Sequence, residues 1–290
     1  MKKLIAIIAS VAFMLPAMAQ DVPVGSASSG EKVVNKNGVA ILPTAGDIAI
    51  GIDMVPFLNY FGNIANQTVN NSYNGSFLSN ANTLFGKYFL QSDLAVRGRF
   101  MIMSNIYQDK RYILDDAAFF NDPNTNDQVV DVRHFKDHDY MLGFGIEKRR
   151  GKGRLRGIFA AEASLMFGTN KTEYTYGNNY SDLNTTPGTT NFGGNIAANG
   201  RVLQDNNGSY FGAGIGAFIG VEYFIMPNIA IGSEVGWGVN FTKWSQSNTV
   251  TEVWNGNSGE EVTTLDSPGD LGFNYGLNNP TASLYMMFHF

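Results

Sequence analysis

Eight charged residues stand where strand alternation would gather them on one face: Asp53, Arg97, Arg99, Glu147, Arg156, Glu162, Glu222 and Glu234. Lys87 is a further candidate. Around Arg97 and Arg99 the alternate positions are Leu94, Val96, Phe100 and Ile102; around Glu162 they are Phe159, Ala161, Ala163 and Leu165. Charges enclosed on one face must pair, because an unpaired buried charge is very costly. Three kinds of chemistry are open to such a set. It can form a salt-bridged plug, a narrow polar path for small solutes or ions, or a pair of carboxylates working as general acid and base. The third needs a nucleophile beside a histidine, and the sequence places none there.

Two other clusters use metal-ligand residue types. His134 and His138 share a strand face with Lys136, and Asp131, Asp137 and Asp139 are close by. A lysine between the two imidazoles suits a solvated rim better than a closed metal site. Asp122-x-Asn124-x-Asn126 has the opening of a calcium loop. Asp127 stands where the turn glycine belongs and Arg133 where the bidentate acid belongs, so the loop chemistry is incomplete. No catalytic, metal or cofactor site is expected, and the chain is read as non-enzymatic.

The elements that position the charges are strands. The last ten residues, Thr281 to Phe290, put Ala282, Leu284, Met286, Phe288 and Phe290 on one face and Ser283, Tyr285, Met287 and His289 on the other. Similar runs are expected over about 47–60, 83–90, 94–107, 138–148, 154–168, 209–224 and 229–244. Tyr140, Leu142, Phe144 and Ile146 face one way, and Gly143, Gly145 and Glu147 the other. Gly212, Gly214, Gly216 and Gly220 lie with Glu222; Ile231, Val235, Trp237 and Val239 oppose Glu234. A slip of one residue would exchange the faces, so the register is well specified.

Polar segments rich in Asn, Gly and Tyr separate the strands at about 61–82, 108–136, 169–208 and 245–278. Short turns separate them elsewhere: Gln91-Ser92-Asp93, the basic Arg149 to Gly153, and Met226-Pro227-Asn228. Long and short connections therefore alternate, as in an outer-membrane barrel with long extracellular loops and short periplasmic turns. Lys2 and Lys3, the apolar run Leu4 to Leu15 and Ala17-Met18-Ala19 have the form of a cleaved signal peptide covering 1–19. Residues 20–45 are read as a periplasmic lead-in, with Ile41-Leu42-Pro43 placed to tuck under a barrel spanning 46–290. The alternation alone does not say which face is inside. The leader, the terminal Phe290 and the loop asymmetry favour charge inside and an outward face against lipid.

The eight strands, the Gly-rich hairpin Gly212 to Gly238 and the ending Tyr285-Met-Met-Phe-His-Phe290 resemble small bacterial outer-membrane barrels of the OmpX, OmpW and OmpA-transmembrane kind. The resemblance covers about residues 45–290. It implies an all-β, eight-stranded antiparallel up-and-down transmembrane barrel in the cell outer membrane. It implies outer-membrane lipid and lipopolysaccharide as neighbours. It makes Tyr285, Met286, Phe288 and Phe290 the signal strand for the barrel-assembly machinery. A larger outer-membrane protein partner fits the lipid-facing girdle of Phe144, Phe159, Trp237 and Phe288. The expected task is structural, surface-interacting or accessory, with a minor porin or small-solute channel as the alternative. Barrel enzymes need Ser/His or Asp/His sets at the outer rim, and none stands out.

Composition narrows the classes further. Of 290 residues, 16% are charged, 13% aromatic and 33 are glycine, a profile of aromatic girdles and crowded strand crossings. The net charge of −5 argues against nucleic acid as a partner. The absence of cysteine removes disulfides and thiolate chemistry.

Overall fold

The computed structural model describes residues 33–54, 83–277 and 283–290. The expected signal peptide, the expected loop 61–82 and the outer part of the first expected strand lie outside them.

Among the described residues the chain is all-β and antiparallel apart from one six-residue helix. In order it forms β1 (Ile48–Asp53), β2 (Thr83–Gln91), β3 (Leu94–Leu114), α1 (Asp116–Asn121), β4 (Gln128–Arg150), β5 (Leu155–Thr175), β6 (Ile196–Ala197), β7 (Gly200–Met226), β8 (Ile229–Trp244), β9 (Ser247–Trp254), β10 (Gly259–Ser267), β11 (Leu271–Leu277) and β12 (Ser283–His289). They join in one twelve-stranded sheet. Part of it is ring-like. Neighbouring strands pair from β1 through β2, β3, β4 and β5 to β7; β7 pairs β8, β8 pairs β12, and β12 pairs β1.

The turns at one end are tight. Two residues join β2 to β3, and two join β7 to β8, where Asn228 takes φ of 67°. Asparagine tolerates that left-handed backbone better than most residues, and its carbonyl accepts the His289 N–H. Residues 33–46 pack against this end. Ile41 is buried among Ala49, Phe85, Phe89, Phe224, Ala230 and Met287, and the Gly46 N–H donates to the Phe89 carbonyl.

At the other end the structure departs from the expected loops. β3 and β4 run through most of 108–136, with the capped helix α1 between them; Asp115 caps it by accepting from Ala117 and Ala118 N–H. β5 and β7 extend into 169–208, and β9, β10 and β11 occupy much of 245–278. These extensions carry polar residues on both faces, so apolar alternation is missing there. The backbone ladder continues and is held by cross-strand pairs. Tyr107 stacks on Phe135 with centroids 4.9 Å apart, and Arg133 reaches Asp109 at 3.2 Å. The last strand is also divided. β11 pairs the outer half of β8 and β12 the inner half.

Candidate functional site

Side-chain direction follows from the ladder. Arg97 faces Gly145, Gly145 faces Glu162, Glu162 faces Gly216, and Gly216 faces Gly238. Residues directly opposite across a sheet share a face. The charged positions of the ring strands therefore turn to one side. They are also the buried ones: Glu147 and Glu222 are 0% exposed and Arg97 is 2%. The alternate positions are open, with Phe144 at 66%, Ile219 at 60% and Trp237 at 54%. The ring is charged within and apolar without.

Inside, four cations and four carboxylates of the described residues form one connected cluster. Lys87 binds Glu147 at 2.9 Å and also Glu222. Arg97 grips Glu234 with two nitrogens at 2.9 and 2.7 Å, and reaches Glu162 at 3.2 Å and Glu147 at 3.5 Å. Arg99 closes on Glu162; Arg149 touches Glu222 and lies 3.4 Å from Glu147. The Tyr285 hydroxyl donates to Glu222 at 3.0 Å. The two-nitrogen clasp on Glu234 is the geometry in which a guanidinium binds a carboxylate most strongly. The members come from β2, β3, β4, β5, β7, β8 and β12, so the cluster ties across the ring.

Aromatic rings fill the space between the charges. Phe218 lies under both Arg97 and Arg99, at 5.1 and 4.6 Å. Phe89 and Phe224 flank Arg149 at 5.0 and 5.5 Å. Cation–π contacts of this kind gain strength where water is excluded. Glycines on β8 make room for the rings. A Cβ on Gly236 would fall 2.4 Å from the Phe218 ring, and one on Gly232 would fall 2.4 Å from that of Tyr285.

Of the residues singled out in the sequence, Arg97, Arg99, Glu147, Glu162, Glu222 and Glu234 come together here, with Lys87. Arg156 stands opposite Glu222 nearer the tight turns, its guanidinium on the Gly151 carbonyl. Asp53 pairs Tyr285 in the backbone register, and its side chain lies outside the described residues. Two members were not anticipated. The sequence places Arg149 in a basic turn, yet it lies within β4, one residue before its end, and is 3% exposed. Tyr285, expected on the mixed face of the closing strand, is 1% exposed and faces inward, where it joins the charges. Both follow the parity of Glu147 and Met287, which was the signal available. Met286 and Phe288 are half-buried on the opposite face, and Phe290 is exposed.

One pair arises that the sequence did not suggest. Ser104 Oγ lies 2.8 Å from His138 Nδ1 on the outward face, where β3 pairs β4. A serine hydrolase needs a third group to orient the imidazole. The Tyr140 ring also lies beside His138, and no carboxylate of the described residues holds it. His134 is engaged by Gln108 at 3.0 Å, and the Asp122 carboxylate accepts the Asn124 N–H in a local turn.

At the far end the connection between β5 and β7 folds over the inward face of the extended strands. Asp131, fully buried, accepts the N–H of Gly177 at 2.9 Å and of Thr190 at 2.7 Å. Asp116 accepts from Gly188 and Asn184. Arg201 lies over Tyr176 and Tyr180 at 4.4 and 5.0 Å and binds Glu252 at 2.8 Å. Burial raises the Tyr176 hydroxyl well above its ordinary pKa. Comparison with protein-family models and with curated proteins finds no match.

Proposed function

We propose that this chain is an eight-stranded up-and-down β-barrel of the bacterial outer membrane, similar to the small OmpX and OmpW kind. Its lumen is plugged by paired charge, and it serves as a structural, surface-interacting or accessory component. The observation that carries the reading is the inversion of polarity. A water-soluble barrel buries its apolar face, whereas this ring exposes Ile50, Leu142, Phe144, Phe159, Ile219 and Trp237 and buries lysine, arginine and glutamate. Bulky apolar side chains arranged as a band make sense against hydrocarbon.

The dimensions agree. On β4 the outward positions between Lys148 and Lys136 are Ile146, Phe144, Leu142, Tyr140 and His138. Twelve residues of strand rise about 40 Å, and a tilt of about 40° brings that near the ~30 Å of a hydrocarbon layer. Lys148 is itself paired with Asp93 at 2.6 Å, marking the tight-turn edge.

A plugged lumen favours an accessory or surface role over conduction. Four cations and four carboxylates pair across the ring, and Ile41 packs beneath them. Reconstitution into planar bilayers tests this. The proposal expects no steps in current above baseline; regular single-channel steps would support the channel reading. Extraction in mild detergent then separates the two remaining roles. A stoichiometric larger partner supports the accessory role, and a lone barrel in its micelle supports a surface role carried by the long hairpins.

A further inference from the structure

We propose that the outward face of β3, β4 and β5, immediately above the apolar band, binds the phosphates of an anionic membrane lipid. The inference rests on the barrel reading and names one partner for its outer rim. Three rows of side chains climb from the band. The first is Ser104, His138 and Thr169; the second is Ile106, Lys136 and Lys171; the third is Gln108, His134 and Glu173. Lys110 follows above Gln108 on the same face. Directly below the first row stand Ile102, Tyr140 and Phe167, with Tyr140 and Phe167 stacked 6.4 Å apart.

Lys136 and Lys171 are register partners, directly opposite each other across β4 and β5. Like charges in that position repel. Glu173 binds both, each at 2.6 Å, and so relieves only part of the repulsion. Above the apolar band the outward titratable groups on these strands are Lys110, Tyr112, Lys136, Lys171, Glu173, His134 and His138, a set with net positive charge on a chain of net charge −5; Lys148 and Arg150 face outward at the opposite end of β4. The lysines remain accessible, with Lys136 41% and Lys171 34% exposed at the side chain. Lipid phosphates sit where hydrocarbon gives way to water, which is the level of this lysine pair above its aromatic row. Hydroxyls of Ser104 and Thr169 supply further donors one row down. Each basic residue near an anionic surface contributes about a factor of five in affinity, about 1 kcal/mol.

The probe is diphosphorylated lipid A against the same lipid with its phosphates removed, titrated into the full chain in detergent and read by tryptophan fluorescence. Resistance of the folded band to migration change without heating is checked first in vesicles. The wild type is expected to bind the phosphorylated form at least about tenfold more tightly, and K136Q/K171Q to lose that preference. K136R/K171R is expected to keep it. Equal binding of both lipids by the wild type overturns the proposal without recourse to any variant. Binding of free inorganic phosphate as tight as that of the phosphorylated lipid overturns its assignment to a lipid. Failure to insert into vesicles overturns the barrel reading and this inference with it, whereas insertion without phosphate preference overturns this inference alone.

Discussion

The two ends of the ring solve the same problem differently. Toward the tight turns the interior is filled, and Lys87, Arg97, Glu147, Glu162, Glu222 and Glu234 are each 5% exposed or less. One level further out, the inward Met101, Met141, Met166 and Asn240 are only half-buried. Beyond them the strands leave the ring and are held by a folded connection and by single buried carboxylates such as Asp131. The inner region is tied across many strands at once, so losing one member leaves several others uncompensated. The outer region is tied locally, so losing one anchor frees one segment. The difference assigns stability to the first and adaptable surface to the second.

The largest effect should come from Arg97→Met. It leaves Glu147, Glu162 and Glu234 without their shared cation in a water-poor interior, and about 3–5 kcal/mol of stability should be lost, read as a urea midpoint shift in detergent. Gly232→Ala should cost about 1–3 kcal/mol by forcing Tyr285 off β8 and away from Glu222. Asp131→Asn should behave in the opposite manner. The global midpoint stays within error, while amide exchange at Gly177 and Thr190 accelerates by about tenfold or more. A global shift as large as that of Arg97→Met would erase the distinction between the two regions.

The smallest effect is a titration. Hydrogen bonds from Lys136 and then Lys171 hold the Glu173 carboxyl down at about 2, against an ordinary value of 4.5. Its folded pKa is depressed, so its contribution is present above the ordinary value and fades as pH falls from about 4.5 toward about 2. Carbon-13 NMR of this carboxylate should give a midpoint near 2 in the wild type and a higher one in Lys136→Gln. An unchanged midpoint would remove Lys136 as the cause.

The faces and register of the ring strands were legible because one face is built of bulky apolar side chains and the other carries the charges. Leu142, Phe144 and Ile146 alternate with Gly143, Gly145 and Glu147, and a period of two is unambiguous when a charge marks one side. The outer extensions were not legible. In Asn105 to Leu114 and Gln128 to Asp137 both faces bear polar groups, so the period vanishes although the ladder persists. Arg149 was lost for a related reason. It sits among Arg150, Gly151 and Lys152, and a basic run beside glycines reads as a turn, while its burial depends on Phe89 and Phe224 from distant strands. Tyr285 likewise needed Gly232 across the ladder before its direction had a purpose.

The central claim is that this ring stands in lipid with its charges turned inward. Because the chain has no cysteine, single cysteines carrying a nitroxide can be placed one at a time from Tyr140 to Glu147 in the protein reconstituted into vesicles. The account predicts a period of two: labels at Tyr140, Leu142, Phe144 and Ile146 relax with dissolved oxygen, and those at Met141, Gly143, Gly145 and Glu147 do not. Relaxation of the first set by a water-soluble nickel chelate instead, with no oxygen preference, would place the apolar band in water and contradict the account.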